Sequence, residues 1–206
     1  GVVDAVDVYD PETNGGLPRS AKPLPVANVQ AAVIDGVIFV PGGTTATGEV
    51  SDALEVYDPV KDDWISRSSL PAPRAGYGLA EYDGKLYLFG GWNGTAYVDT
   101  VLVYDPAADT WGTRSPLPIS AGFGAAAPLG ERILVVGGFD GTSELATCSL
   151  YQPDGDRWET CAPMSLPRGG LGLAVDGASA YAIGGGWQRP LSFNCLLYTS
   201  PSTRDS

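Results

Sequence analysis

Four double glycines stand at Gly42-Gly43, Gly90-Gly91, Gly137-Gly138 and Gly184-Gly185, spaced 48, 47 and 47 residues apart. A second marker keeps the same step. Tyr9, Tyr57 and Tyr104 each open a Tyr-Asp-Pro triplet, and Tyr151 opens the same triplet with Gln152 in place of Asp. A third marker, Trp64, Trp111 and Trp158, trails its tyrosine by 7 residues. Markers that stay in phase over most of a chain mean that one supersecondary unit recurs, and such a unit buries its apolar faces only against its neighbours.

The unit is clearest in residues 81–111, EYDGKLYLFGGWNGTAYVDTVLVYDPAADTW. Asp83-Gly84 sits between apolar residues, and Asp-Gly suits a two-residue hairpin because both turn positions need φ > 0. Runs rich in Val, Leu, Tyr and Phe, bounded by Gly, Asn, Asp and Pro, predict strands. Matching turns are expected at Asp35-Gly36, Gly130-Glu131 and Asp176-Gly177. The small-residue segments GYGLAEY and GFGAAAPL are expected innermost, where strands crowd. The chain opens with VVDAVDVYD, which matches the third strand of later units; no Trp follows it, and Leu17 is the candidate to fill that place.

The double glycine after a strand, the Tyr-Asp-Pro triplet and the following Trp at this period resemble the kelch repeat. The resemblance covers about residues 2–190. It implies an all-β kelch-type β-propeller built of four-stranded antiparallel blades. The repeats fall at about 24–68, 70–115, 116–162 and 164–198, with a half repeat at 1–22, in a single segment 1–198 followed by a tail at 199–206. Three complete blades are expected between partial blades at both ends. If the two ends joined, a closed four-bladed ring would result. Against this, FNCLLY at 193–198 reads as another third strand with Tyr198 in phase, which favours an arc of a larger propeller. Residues 195–206, CLLYTSPSTRDS, also resemble translated sequencing-library adapter, so no function is assigned to them.

Composition removes whole classes of chemistry. The chain has no His, which excludes Ser-His-Asp and Cys-His nucleophile arrangements and His-containing metal sites within it. Its 3 cysteines fall short of an all-Cys zinc site. No metal site and no cofactor is expected. A net charge of −12 lacks the basic footprint of a nucleic-acid surface. No apolar run approaches the roughly 18 residues of a membrane span, so no membrane insertion is expected. No leader signature is visible at the N-terminus, where the chain opens within a strand, and the compartment stays undetermined.

The markers themselves read as structural. Double glycines fit backbone of positive φ or close approach by another element; a phosphate cradle would need a helix after them, whereas GGWNGT and GGFDGT lead into strands. Tyr57, Tyr104 and Tyr151 with Trp64, Trp111 and Trp158 read as blade-packing aromatics with polar handles. Cys148 and Cys161 flank the hairpin that carries Tyr151 and Trp158, so they face each other if that pair does. A disulfide and two free thiols both remain open; Val101 and Arg114 hold the same places one repeat earlier.

In the kelch family the blade-to-blade connection and the loop after the double glycine form a binding face. The resemblance therefore places Arg74, Arg168, Trp92, Asn93, Phe139, Asp140 and Trp187 on or near that face. Val26 and Ser120 are read as the matching places in the other repeats, which leaves any arginine ring incomplete. Arg and Trp are enriched at binding hot spots. The expected function is a non-catalytic module that binds another protein or a carbohydrate-like ligand. The alternative is a fragment of a propeller enzyme, either sialic-acid-mutarotase-like or galactose-oxidase-like. The copper site of the latter needs the histidines this chain lacks.

Overall fold

A computed structural model describes residues 2–186. Trp187, the strand expected at 193–198 and the adapter-like end lie outside the described residues. Sixteen strands and no helix occur among the described residues. They begin with a hairpin, β1 (Val6–Asp10) and β2 (Gly15–Arg19). Three four-stranded antiparallel sheets follow: β3 (Ala32–Ile34) to β6 (Asp63–Arg67), β7 (Gly78–Tyr82) to β10 (Thr110–Arg114), and β11 (Ala125–Leu129) to β14 (Arg157–Thr160). A second hairpin, β15 (Gly172–Asp176) and β16 (Ser179–Ile183), ends the array. The intervening strands are β4 (Val37–Pro41), β5 (Leu54–Asp58), β8 (Lys85–Phe89), β9 (Val101–Asp105), β12 (Arg132–Val136) and β13 (Cys148–Gln152).

Each full sheet is a meander in which neighbours in sequence are neighbours in space. The first strands β3, β7, β11 and β15 pack against one another and form the inner edge. The two terminal hairpins are separate sheets, so the described residues form an open arc and not a closed four-bladed ring.

The apolar core lies between blades. Phe39, Val56, Leu86, Leu88 and Tyr104 fill one interface. Tyr87, Phe89, Val103, Ile133 and Tyr151 fill the next. Polar ties reinforce each interface at three depths. At the inner edge, Gly76 N–H donates to Asn28 O at 2.8 Å, Phe123 N–H to Gly76 O, and Gly170 N–H to Phe123 O at 2.8 Å. At one end of the strands, the second glycine of each pair donates to the next connection: Gly43 N–H to Arg74 O, Gly91 N–H to Ala121 O and Gly138 N–H to Arg168 O, at 2.8–2.9 Å. The first glycine makes room for that carbonyl; a Cβ on Gly42 would lie 2.1 Å from Arg74 O and one on Gly90 2.2 Å from Ala121 O.

A third tie sits at the opposite, outer end. The residue five after each marker tyrosine, Asp62, Asp109 or Asp156, takes a left-handed φ of 45–53°. Its Oδ1 accepts the tyrosine O–H, from Tyr57 at 2.6 Å, Tyr104 at 2.5 Å and Tyr151 at 2.6 Å. The same oxygen accepts a backbone N–H from the preceding blade: Ser20 at 2.9 Å, Ser68 at 3.0 Å and Ser115 at 2.8 Å. The marker indole closes the clasp, with Nε1–H donating to the carbonyl of that serine at 2.8–3.0 Å. The three tryptophans are therefore half-buried ties between blades, and Trp111 and Trp158 also pack against the buried clusters.

Three local expectations change. Register puts Asp176 opposite Ser179, so the last hairpin turns at Gly177-Ala178 and not at Asp176-Gly177. With a positive φ at Gly177 and none at Asp176, the turn has its glycine first, as in the Gly130-Glu131 hairpin. Gly16, not Leu17, faces Tyr9, and Leu17 is exposed. The repeat-equivalent of Arg74 is Ala121 and not Ser120, because the carbonyl of Ala121 occupies the glycine latch.

The Sγ atoms of Cys148 and Cys161 are bonded across β13 and the end of β14, with Cα atoms 5.1 Å apart. Tyr151 faces Trp158 in the same ladder. The bond stands where Leu54 faces Arg67 and Val101 faces Arg114 in the other blades.

Candidate functional site

The glycine latch brings two kinds of loop to one end of the arc. One is the loop that follows each double glycine; the other is the connection entering the next blade. Short bridges zip each pair together: Ala27 with Thr44, Ala75 with Trp92, Gly122 with Phe139 and Gly169 with Gly186. Trp92 and Phe139 thus hold one repeat position, and bridges to Tyr97 and Glu144 fold each loop back on itself.

Aromatic side chains gather where these loops meet. The Trp92 and Tyr97 ring centroids are 5.0 Å apart. Tyr97 lies edge-on to Phe139 at 5.4 Å and to Phe123 at 6.2 Å. Tyr97 crosses to the following blade because Gly122 leaves space; a Cβ there would meet the Tyr97 ring at 2.7 Å. Burial raises the pKa of the Tyr97 phenol, which therefore stays protonated through the neutral range.

Beside this cluster opens a broad cleft of about 760 Å³. Asn28, Thr44 and Val50 line one side, Trp92, Tyr97 and Phe123 the middle, and Asp140 and Thr142 the other side. Asn28 Nδ2–H donates to Thr44 Oγ1 at 3.3 Å. Asp140 Oδ1 accepts the N–H groups of Thr142 at 2.6 Å and Ser143 at 2.7 Å, which fixes the loop tip. Asn93 does the same one blade earlier, accepting from Thr95 and Ala96 at 2.9 Å each.

The residues singled out from sequence separate accordingly. Trp92 and Asp140 line the cleft, Asn93 shapes its loop, and Phe139 is buried beneath Tyr97. Arg74 is not surface-presented: it is 3 % exposed, with its Cδ 3.1 Å from the place of a Cβ on Gly91. Burial lowers its pKa, yet as a guanidinium it remains charged. Its Nε and that of Arg168 have no hydrogen-bond partner among the described residues. Arg168 instead donates from Nη2 to Ala182 O at 3.2 Å, in the last hairpin. What the repeat demands at this place is the carbonyl, which explains why Arg74, Ala121 and Arg168 can all occupy it.

Tyr97, Phe123, Asn28 and Thr44 are cleft residues that the sequence reading did not identify. Phe123 carried a signal: it interrupts a series in which Gly76 and Gly170 hold the same repeat position. Tyr97 carried none, because its loop has no repeat-wide motif. Among the described residues no three His, Cys, Asp or Glu side chains come together as a metal site.

Comparison with known proteins agrees with this architecture. A family model described as the KLHDC2/KLHL20/DRC7 Kelch-repeats domain matches residues 6–186. Among solved structures, the chain is similar to one titled "Structure of YjhT", with a TM-score of 0.80 and 18 % identity over 89 % of this chain and 69 % of that one. No curated protein sequence matches.

Proposed function

Since the chain belongs to the kelch-repeat family, we propose that it is a non-catalytic binding module whose loop-end cleft receives a protein partner. The observation that carries this reading is the convergence of Trp92, Tyr97 and Phe123 on one open cleft edged by Asn28, Thr44 and Asp140. Aromatic groups on loops held by a rigid scaffold supply large contact area at small entropic cost. A polar rim around such rings is the usual anatomy of a recognition site.

The arrangement of the arginines supports the same reading over a catalytic one. Arg74 and Arg168 lie in different blades, and neither pairs with a carboxylate among the described residues. Acid–base chemistry on a sugar would need such groups to converge on one substrate. The test is quantitative affinity capture with the wild-type protein, Trp92→Ala and, as a control at the opposite end of the blades, Lys61→Ala. Trp92→Ala is expected to lose bound partner by at least about tenfold, as for a hot-spot aromatic, and Lys61→Ala to keep it. Equal capture by all three proteins would place the binding surface elsewhere.

A further inference from the structure

The two interfaces of the second full blade share a repeat but not a filling. The inner hydrogen-bonded ring aligns Asn28, Gly76, Phe123 and Gly170, so Tyr77 and Gly124, which follow two of them, hold one repeat position. Cross-strand register aligns Leu102, opposite Thr113, with Ser149, opposite Thr160. Between the first and second full blades, Tyr77 and Leu102 are buried in one cluster with Leu70, and the Tyr77 O–H donates to the Pro41 carbonyl. Between the second and third, Gly124 and Ser149 bring little bulk to the same two places.

The shortfall leaves a cavity of about 40 Å³. Phe89, Leu117, Val135 and Leu145 line it together with Gly124 and Ser149. Leu117 stays only partly buried there, whereas its counterpart Leu70 is 3 % exposed. Ile119 also lines the cavity and is 46 % exposed, so the space reaches the surface at that residue. Leu166 holds the place of Ile119 one repeat later and is 62 % exposed. No residue lining the cavity is charged, in a chain of net charge −12. At roughly 10–15 Å³ for each water-sized group, the cavity holds about three such groups, the size of an isopropyl group.

We propose that this cavity binds a branched aliphatic side chain, with Val the best fit, presented by an extended segment of a protein partner. An empty space of this kind forfeits dispersion contacts that an inserted aliphatic group restores. A charged occupant would lose its water with no opposite charge lining the cavity to replace it. Exposed aliphatic residues on two successive connections, Ile119 and Leu166, favour a side chain carried by a protein, since covering them takes more area than a free molecule of that size has. The cavity shares no lining residue with the Trp92 cleft, and the proposal stands independently of the reading of that cleft.

The probes are acetyl-valine-methylamide, its glycine counterpart and propane. Each is titrated into protein with 13C-labelled methyl groups while the Leu117 and Val135 methyl resonances are followed. The valine amide and propane are expected to shift both resonances saturably, and the glycine amide to leave them in place. Ser149→Leu supplies the bulk that Leu102 supplies one blade earlier, so it is expected to abolish the valine shift with the melting midpoint unchanged or raised. Should that variant fail to fold, Ser149→Val makes the same test with a smaller side chain. Trp92→Ala removes a ring from the separate cleft and is expected to leave the valine shift as it is. Shifts with propane and none with the valine amide overturn the protein side chain as occupant. Resonances unmoved by both, or a valine shift that persists in the folded Ser149 variant, overturn the site, and neither result bears on the Trp92 cleft.

Discussion

At the scale of single residues, the outer clasp concentrates work on one carboxylate per blade. Asp62 and Asp109 have lowered pKa values, chiefly through the O–H of Tyr57 and of Tyr104 and then through a serine N–H. Burial pushes the Asp156 carboxyl up, but bonds from Tyr151 and Ser115 outweigh it and the net shift is again downward. A carboxylate with a lowered folded pKa contributes stability that is complete above its unfolded value of about 4 and fades as pH falls through the folded value. The tyrosines move oppositely: burial and the adjacent carboxylate raise Tyr104 and Tyr151, so their share fades as pH climbs above the ordinary value of about 10. The melting midpoint should therefore hold a plateau between these limbs. The triple variant Asp62→Asn, Asp109→Asn, Asp156→Asn keeps an acceptor and tolerates left-handed backbone. Its acid limb is expected to be shallower than that of the wild type in melting curves from pH 5 to pH 2.5. An unchanged limb would show that other carboxylates govern acid unfolding. The tyrosine and tryptophan of this clasp were legible as periodic markers. The aspartate was not, because Asp and Asn are common in any turn and only the fold brings the preceding blade's N–H to them.

At the scale of elements, the repeats tolerate exchange of one packing solution for another. Leu70, Leu117 and Met164 seal the ends of the outer strands, each donating its N–H to the chain before the third strand. Lys22 fills that place in the first repeat and pairs with Glu55 on β5, both side chains being at most 10 % exposed. The equivalent of Glu55 in the next blade is Leu102, which shares a buried cluster with Leu70. Removing one partner of a buried pair strands the other charge and costs about 3–5 kcal/mol, whereas replacing both with apolar residues is neutral or stabilising. Glu55→Leu is therefore expected to lose about 3–5 kcal/mol in urea unfolding, and Lys22→Leu with Glu55→Leu to recover it. A double variant as unstable as the single one would mean that the site cannot pack two leucines. The disulfide of the third full blade is another such exchange, a covalent link where its neighbours place an aliphatic residue against an arginine.

At the scale of the whole molecule, an array that buries surface only between neighbours is least stable where a neighbour is missing. Tyr104, Leu86 and Ile133 in the middle blades are fully buried, whereas Tyr181 on β16 is 53 % exposed and Tyr9 on β1 is 63 % exposed. Opening free energies should fall from the centre outward. Native-state amide exchange is expected to show the slowest protons in β8, β9 and β12, and exchange faster by orders of magnitude in β1–β2 and β15–β16. Uniform protection along the chain would mean that the terminal hairpins are sheltered in solution.

The periodic residues alone determined the blade architecture. A tight turn, a double glycine and an aromatic pair are local necessities, and each must recur wherever the unit recurs. The Tyr151–Trp158 pairing stayed a condition at that level, since a bulge in the connection would shift the register, and the strand ladder settled it. The cleft was decided by tertiary structure. Its residues come from three successive blades, and none of Asn28, Phe123 or Tyr97 belongs to a motif shared by all repeats. Burial of Arg74 was likewise invisible in the sequence, because its side chain follows from where the glycine latch draws its carbonyl. A repeat specifies its interfaces through what stays constant; recognition resides in what varies between units, and only their spatial superposition shows which variations meet.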